Sequence, residues 1–317
     1  MPGKATAQSL ASSMFQTPAN RDPTMTNATA NLNKNMNLGH SPDPDDAFMF
    51  YAMRHDLIDQ RGYHFEHHLQ DIQTLNLRAR AAELELTAIS WHAYPHVHQL
   101  YAPMTCGASM GDGYGPMIVA RKGSGLTPAD LKNKTIAIPG ELTTAFLTLN
   151  LLLEPGSFNH RIVMFDQIPA AVANGEADAG LLIHEGQLTY QQAGLELVVD
   201  LGTWWRDQNR LPLPLGANVV RRNLGQNTMN ELTAIMHASI RYSLAHREQA
   251  VAYALEYARD MGVELADRFV GMYVNHWTLD YGPVGRRAVE MLLERGHQRG
   301  LIPNALPIHW VEPLLPH

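Results

Sequence analysis

Short apolar runs alternate with helix-like segments along most of the chain after residue 37, and this alternation limits the fold more than any other feature. Residues 135–138 (TIAI) and 179–183 (AGLLI) have the length and composition of buried strands, and the helical pattern between them ends at Asn174-Gly175. A strand–helix–strand succession of this kind is typical of parallel strands covered by helices. The sequence therefore predicts an α/β protein.

Two interruptions divide the α/β pattern. The run MIVARKG at 117–123 has the character of a strand that leaves one module, and LPLPLGANVVR at 211–221 breaks the pattern with two prolines before a strand resumes. We therefore predict two lobes with a cleft between them, the second inserted in the first. Lobe 1 comprises residues 37–120 and 217–317, and lobe 2 comprises residues 121–216.

Residues 1–36 are rich in Ser, Thr, Asn and Ala and lack the apolar core of a secretory signal, so we expect a disordered tail. No stretch of the chain approaches the roughly 20 continuous apolar residues that a membrane-spanning helix needs. These two features predict a cytoplasmic protein without a membrane partner.

The composition excludes several classes of function. The formal net charge is -7 and the 24 basic residues are spread along the chain, which argues against a nucleic-acid partner. Cys106 is the only cysteine, so neither an internal disulfide nor a thiolate-rich metal site can form. The chemistry of the predicted cleft must come from histidines, carboxylates and hydroxyls acting on a small molecule.

The segment IPGELTTAFL places Gly140, Thr143 and Thr144 between a predicted strand and a predicted helix. Free N–H groups at a helix start, with two hydroxyls beside them, suit a carboxylate or a phosphate. One of the threonines is equally well explained as a plain N-cap. Both interpretations are open at this point.

The segment GLLIHEG ends an apolar run with His184 and Glu185. Open α/β sheets place ligand contacts at the carboxyl ends of their strands, and an imidazole with a pKa of about 6.5 makes a suitable base there. A histidine that only satisfies its hydrogen bonds at a strand end is the alternative. Glu185 is a poor candidate to orient the imidazole, because adjacent strand residues point to opposite faces.

Two further segments carry polar side chains that the cleft can use. Ser90 ends a predicted strand and is a candidate hydroxyl donor. His92 and His96 have a spacing that zinc uses on a helix, but Pro95 lies between them and no carboxylate follows at ligand spacing. We therefore expect no metal site.

Taken together, the segments SPDPDDAFMFYA, DIQTLNLRA, AISWHAYPHV, IPGELTTAFL, LLIHEGQLTY and LPLPLGANVVRR resemble, in order and spacing, the 1,4-dihydroxy-6-naphthoate synthase family of menaquinone biosynthesis. The resemblance extends over about residues 37–300. It implies a type II periplasmic-binding-protein-like fold, in agreement with the two lobes predicted above.

The resemblance also implies an activity: a lyase of the futalosine pathway that converts cyclic dehypoxanthine futalosine to 1,4-dihydroxy-6-naphthoate by breaking carbon–carbon bonds, without a metal or organic cofactor. His184 is the implied base, and Thr143 and Thr144 are the implied anchors of a substrate carboxylate. The further substrate-binding residues are Ser41, Asp45, Thr74 and Ser90. We expect a monomer or a weak homodimer.

This chain departs from the family pattern at its first motif. Where the family usually has SPCPND, Asp43 and Asp45 occupy the Cys and Asn positions, and Trp91 and His92 are also unusual. We expect Asp45 to hold a sugar-derived hydroxyl, and Asp43 and Asp46 to be structural acids, Asp46 as the N-cap or in the first turn of the helix that follows. A carboxylate only accepts hydrogen bonds where an amide also donates, so the exact substrate is open.

Two other functions fit the same pattern. A chorismate dehydratase of the same pathway would share the lobes, but LLIHEGQLTY favours the lyase. A solute-binding protein that feeds a transporter would share the fold, yet His184 has no evident task in a passive binder.

Overall fold

A computed structural model describes residues 34–258 and 261–314. Of the predicted tail, residues 1–33 lie outside the described residues. Asn35 and Met36 were wrongly assigned to the tail, because both belong to the first strand. Met36 pairs with Phe65 of the neighbouring strand and is 3% exposed, so its apolar side chain is part of the core.

The strands of the described residues, in chain order, are β1 (Asn35–His40), β2 (His64–Leu69), β3 (Leu86–Ser90), β4 (Tyr101–Pro103), β5 (Ser109–Gly111), β6 (Met117–Arg121), β7 (Thr135–Ile138), β8 (Asn159–Ile162), β9 (Ala179–Leu182), β10 (Leu195–Asp200) and β11 (Leu213–Arg221). The α-helices are α1 (Pro44–Arg54), α2 (Ile72–Arg80), α3 (Tyr94–Val97), α4 (Thr144–Leu152), α5 (Ile168–Ala173), α6 (Gly186–Thr189), α7 (Leu201–Asn209), α8 (Gln226–Ala245), α9 (Arg247–Ala254), α10 (Val263–Tyr273), α11 (His276–Leu279) and α12 (Gly282–Gln298). Short 3₁₀ helices are found at Pro128–Leu131, Tyr190–Ala193, Arg222–Leu224 and Leu255–Tyr257.

The strands form two sheets with the same internal order. The first sheet runs β2-β1-β3-β11-β4, with β5 also paired to β11, and the second runs β10-β6-β9-β7-β8. In each sheet a parallel core of three strands is followed by an antiparallel strand, β11 or β6, that brings the chain from the other sheet. Two sheets joined by crossing strands are the α/β arrangement that the sequence predicts.

The chain changes sheet between β5 and β6, and again between β10 and β11. Met117 and Leu213, which begin β6 and β11, both lie a few residues before the predicted boundaries at residues 121 and 217. The lobe ranges stay a prediction, since residues 34–317 form one compact unit.

Apolar side chains cover both faces of each sheet. Phe48 and Phe50 of α1 pack with Ile235 of α8 on one side of the first sheet, and Trp205 is fully buried in the cluster on the other side. Burial of side chains of this size contributes about 1.5–3 kcal/mol each. The same clusters hold the loops that follow β1 and β3, and those loops carry the candidate site.

None of the helices in the described part of the chain combines the length and the apolar character needed to cross a membrane.

Candidate active site

A cavity of about 750 Å³, partly open to solvent, lies where the loops of the two sheets meet. Six of the predicted site residues line it: Ser41, Asp45, Ser90, Thr143, Thr144 and His184. Residues distant in the sequence thus share one cavity.

His184 reaches this cavity because of a sharp turn after β9. Its backbone is left-handed, with φ of 53°, and α6 begins two residues later at Gly186. Histidine adopts this conformation more readily than most residues other than glycine, and the turn directs the imidazole away from the end of the strand. The edge of the Phe165 ring packs against the imidazole with ring centroids 4.9 Å apart.

Asp43 lies beside His184 in the lining of the cavity. The Asp43 Oδ2 atom lies 3.1 Å from His184 Nδ1, and the Asp43 side chain is 1% exposed. Asp43 occupies the N-cap position of α1, but its side chain makes no capping hydrogen bond. The Asp43 carboxylate thus contacts the His184 imidazole and not the start of α1, and the structural role predicted for it stays a prediction.

A carboxylate in this position controls the protonation of the histidine. An Nδ1–H that donates to Asp43 leaves Nε2 as the atom that accepts a proton, and the negative charge stabilises the imidazolium that results. The pair has the geometry of a base and its orienting acid.

Asp46 has the structural task that the sequence predicts, with a different partner. It lies in the first turn of α1, and its Oδ2 accepts the backbone N–H of Ser41 at 2.6 Å. That hydrogen bond closes the turn between β1 and α1 and keeps Ser41 and Asp45 at the cavity.

Two acids of this turn, Asp45 and Asp46, have pKa values raised towards neutral pH or above it. Burial raises the pKa of Asp45 to about 8, with repulsion from Asp46 and Asp43 adding to the effect and His184 opposing it. Burial raises the pKa of Asp46 to about 7, against the hydrogen bond from Ser41. Neither Lys nor Arg is among the described residues that line the cavity.

Thr143 and Thr144 begin α4 on the other side of the cavity. Thr143 is the N-cap: its Oγ1 accepts the Phe146 N–H at 3.2 Å and donates to Gly140 O at 2.8 Å. Thr144 Oγ1 donates to Leu215 O at 2.6 Å. Thr143 can cap the helix while the same helix start binds an anion. The first N–H groups of a helix have no partner within it, and the Thr143 cap uses only one of them.

Hydrogen bonds attach the start of α4 to the first sheet. Gln73 Oε1 accepts the Leu142 N–H at 3.0 Å, and His92 Nδ1 donates to Thr143 O at 3.1 Å. Burial lowers the pKa of His92 to about 4, so the imidazole is neutral at neutral pH. His92 thus positions α4, which accounts for a histidine that the sequence left without a role.

Ser90 is oriented by Asn76. The Asn76 amide donates to Ser90 Oγ at 3.1 Å and accepts the Ser90 N–H at 2.8 Å. Thr74 does not line the cavity, contrary to the prediction; its N–H and hydroxyl are bound to Asp71, the N-cap of α2. Positions two apart on a helix face different directions, so Asn76 and not Thr74 lies against β3.

Tyr273, Gln187 and Asn218 also line the cavity and were missed. In the amide orientation that satisfies both of its ends, the Gln187 nitrogen donates to the hydroxyl of Tyr273, on α10, at 2.7 Å and to Gly115 O at 2.9 Å, and burial raises the pKa of Tyr273 well above 10. Gln187 lies within the quoted LLIHEGQLTY segment, but no local pattern distinguishes Tyr273 or Asn218.

Among the described residues, three side chains of this cavity form a group that could hold a metal ion. One ligand atom each of Asp43, Asp45 and His184 lies within 4.8 Å of the others. In the structure, however, His184 Nδ1 and Asp43 Oδ2 already lie 3.1 Å apart, within ion-pair distance. The geometry therefore suits an acid–imidazole pair as it stands.

Two sheets of identical order, joined by crossing strands and meeting at a polar cavity, define a periplasmic-binding-protein-like fold. A Candida albicans protein described as having the generic periplasmic-binding-protein fold superposes with a TM-score of 0.68 at 10% identity, covering 89% of this chain and 98% of that one. A crystal structure of an Archaeoglobus fulgidus protein superposes with a TM-score of 0.81 at 44% identity, covering 86% of this chain and all (100%) of that one.

The chain belongs to the menaquinone biosynthesis family, whose model matches residues 36–298. It is 40% identical over 274 residues to the 1,4-dihydroxy-6-naphtoate synthase of Thermus thermophilus, covering 86% of this chain and 98% of that protein. It is 35% identical over 276 residues to the synthase of the same name from Streptomyces coelicolor, covering 86% and 96%. The family resemblance inferred from the motifs is thereby confirmed.

Proposed function

We propose that this protein is a carbon–carbon lyase of menaquinone biosynthesis that converts cyclic dehypoxanthine futalosine to 1,4-dihydroxy-6-naphthoate. The observation that carries the proposal is the pair of His184 and Asp43, 3.1 Å apart at the cavity. The two relatives named as 1,4-dihydroxy-6-naphtoate synthases, matched over almost their whole length, supply the identity of the reaction.

The start of α4 is the proposed site for the substrate carboxylate. Thr143 and Thr144 line the cavity there, beside the free N–H groups of the first helical turn. The positive end of the helix dipole adds a favourable interaction with an anion.

His184 is the proposed base, and a substrate hydroxyl is its target. Loss of the hydroxyl proton to Nε2 produces an alkoxide, and its collapse to a carbonyl breaks the adjacent carbon–carbon bond. The electron pair of that bond stays on the departing carbon as a carbanion, which takes up the proton that the imidazolium carries. Asp43 stabilises the imidazolium during this step, because opposite charges attract strongly in a buried site. Ser41, Asp45 and Ser90 are the proposed contacts to the remaining substrate oxygens, and no step requires a metal or an organic cofactor.

The setting of the reaction is proposed from the same features. We infer a small carboxylate as substrate, a cytoplasmic location, and a monomer or weak homodimer. Light scattering of the purified protein across a concentration series tests the last of these.

The decisive experiment is incubation of the purified protein with cyclic dehypoxanthine futalosine, with dihydroxynaphthoate followed by liquid chromatography and mass spectrometry. His184→Asn should abolish turnover and leave ligand affinity within about tenfold, because it removes the base and not the anchors. His64→Asn is the matched control, since His64 is exposed on β2, and should behave as wild type.

Two results would refute the proposal. The first is no product from the wild-type protein, together with tight binding of another solute. The second is turnover of chorismate instead, which would indicate the dehydratase. Equal loss of turnover and affinity in His184→Asn would make His184 structural.

A further inference from the structure

We propose that Asp45 works as a neutral carboxylic acid that donates a hydrogen bond to a substrate oxygen held opposite His184. The identity of that substrate rests on the proposed function, whereas the protonation of Asp45 is a property of the protein alone.

The surroundings of Asp45 contain more negative than positive groups. Asp43, Asp45 and Asp46 are 1%, 8% and 7% exposed, so water does little to screen them from one another. The other titratable groups that face Asp45 are the His184 imidazole and the Tyr273 hydroxyl. If all three carboxyl groups were ionised, three negative charges would face a single positive charge, that of the protonated imidazole. Buried anions without a counter-charge take up protons instead.

The other two acids have partners that favour their charged forms. Asp43 lies against His184 Nδ1, and Asp46 accepts the Ser41 N–H. Asp45 Oδ1 and both carboxylate oxygens of Asp43 are buried without a hydrogen-bond partner within the described part of the chain, but Asp43 has the His184 imidazole at 3.1 Å as a counter-charge. The proton therefore resides most favourably on Asp45, whose pKa burial and the neighbouring acids raise to about 8.

A protonated Asp45 changes what the cavity recognises. The neutral acid donates one hydrogen bond and accepts others, as a primary amide does, whereas the anion only accepts. A donor here binds a substrate hydroxyl or carbonyl oxygen without adding a negative charge to a site that receives a carboxylate. Below its pKa, Asp45 thus has the hydrogen-bonding capacity of a primary amide.

The pH profile of turnover tests this donor. In the wild-type protein, kcat/KM should fall about tenfold per pH unit above pH ~8, as Asp45 ionises. Asp45→Asn keeps a donor at every pH, so its kcat/KM should stay within about threefold of the neutral value up to pH ~9.5. Glu66→Gln, which removes one charge at a side chain 77% exposed, should retain the wild-type profile.

A second measurement needs no turnover. Infrared difference spectra at pH ~7 should show a protonated carboxyl C=O band in wild type and Glu66→Gln that is weakened in Asp45→Asn, where only the contribution of Asp46, with its pKa raised to about 7, remains. Carbon NMR of wild-type protein labelled at its Asp carboxyls should show one group titrating near pH 8, without any substitution.

These readouts separate the two proposals. Absence of the band and of the titrating group overturns the protonated Asp45 even if the lyase reaction is observed. Survival of the alkaline fall in Asp45→Asn overturns it as well. Presence of the band with no lyase turnover refutes the proposed function and leaves the neutral Asp45 supported.

Discussion

Replacement of Asp43 by Asn removes the negative charge beside His184 and keeps the size of the side chain. The carboxylate lies 3.1 Å from Nδ1 and is 1% exposed, so solvent screens the interaction very little. Measured coupling energies of close charge pairs removed from solvent begin at about 1.5 kcal/mol, and we take about 1.5–3 kcal/mol for this pair. If this energy is realised when the imidazole takes up a proton, kcat/KM should fall about 10- to 150-fold.

The assay is the steady-state conversion of cyclic dehypoxanthine futalosine at fixed pH. The loss in Asp43→Asn should lie in kcat, with KM within about threefold of wild type, because the charge acts on the transition state and not on the anchors at α4. The double variant Asp43→Asn/His184→Asn should be no slower than His184→Asn alone, since an orienting acid has no task without its imidazole.

Three outcomes would refute the reasoning. Full activity in Asp43→Asn would show that the contact with His184 has no catalytic effect. A loss confined to KM would make Asp43 a binding residue, and additive losses in the double variant would separate the two side chains. Thermal melting of each variant establishes that the fold is retained.

Three further predictions follow from the described contacts. Thr143→Ala should lower the free energy of unfolding by about 1 kcal/mol in urea titrations, because α4 loses its N-cap, and Thr143→Ser should restore it. Dialysis against a chelator should leave kcat/KM within about twofold; a loss that a divalent cation reverses would favour a metal at the cavity over the acid–imidazole pair. His40 and His92 have pKa values lowered to about 3 and about 4 by burial, so the unfolded chain binds more protons below pH ~6.5, and stability should decline as the pH falls from ~6.5 to ~4. His92→Gln should flatten that decline in urea midpoints measured against pH.

Features with a local cause could be read from the sequence. The strand predicted at residues 135–138 is β7, and the helix start predicted around Thr143 is the N-cap of α4. The positions of His184 and Ser90 at strand ends predict that both face the cavity, and both line it. Apolar run length and capping chemistry depend on near neighbours in the chain, which is why these predictions are accurate.

Features that depend on neighbours across space were misassigned or missed. Thr74 was predicted as the site residue of α2, but Asn76 is the residue that contacts Ser90. The packing of α2 on β3 decides which face of the helix points to the cavity, and the local sequence does not show it. Tyr273 reaches the cavity from a helix near the end of the chain. The residues next to Asn76 and Tyr273 in the sequence form no motif from which either position could be predicted.

The sequence by itself determined the α/β class, the family and a histidine placed after a buried strand. Only the tertiary structure decided that Asp43 is the partner of that histidine and that Asp45 is surrounded by acids without a nearby Lys or Arg in the described cavity lining. The reason is physical: strands and caps are set by interactions between near neighbours. Burial, repulsion and the pairing of charges arise only when the loops of two sheets are brought to within a few ångströms of each other.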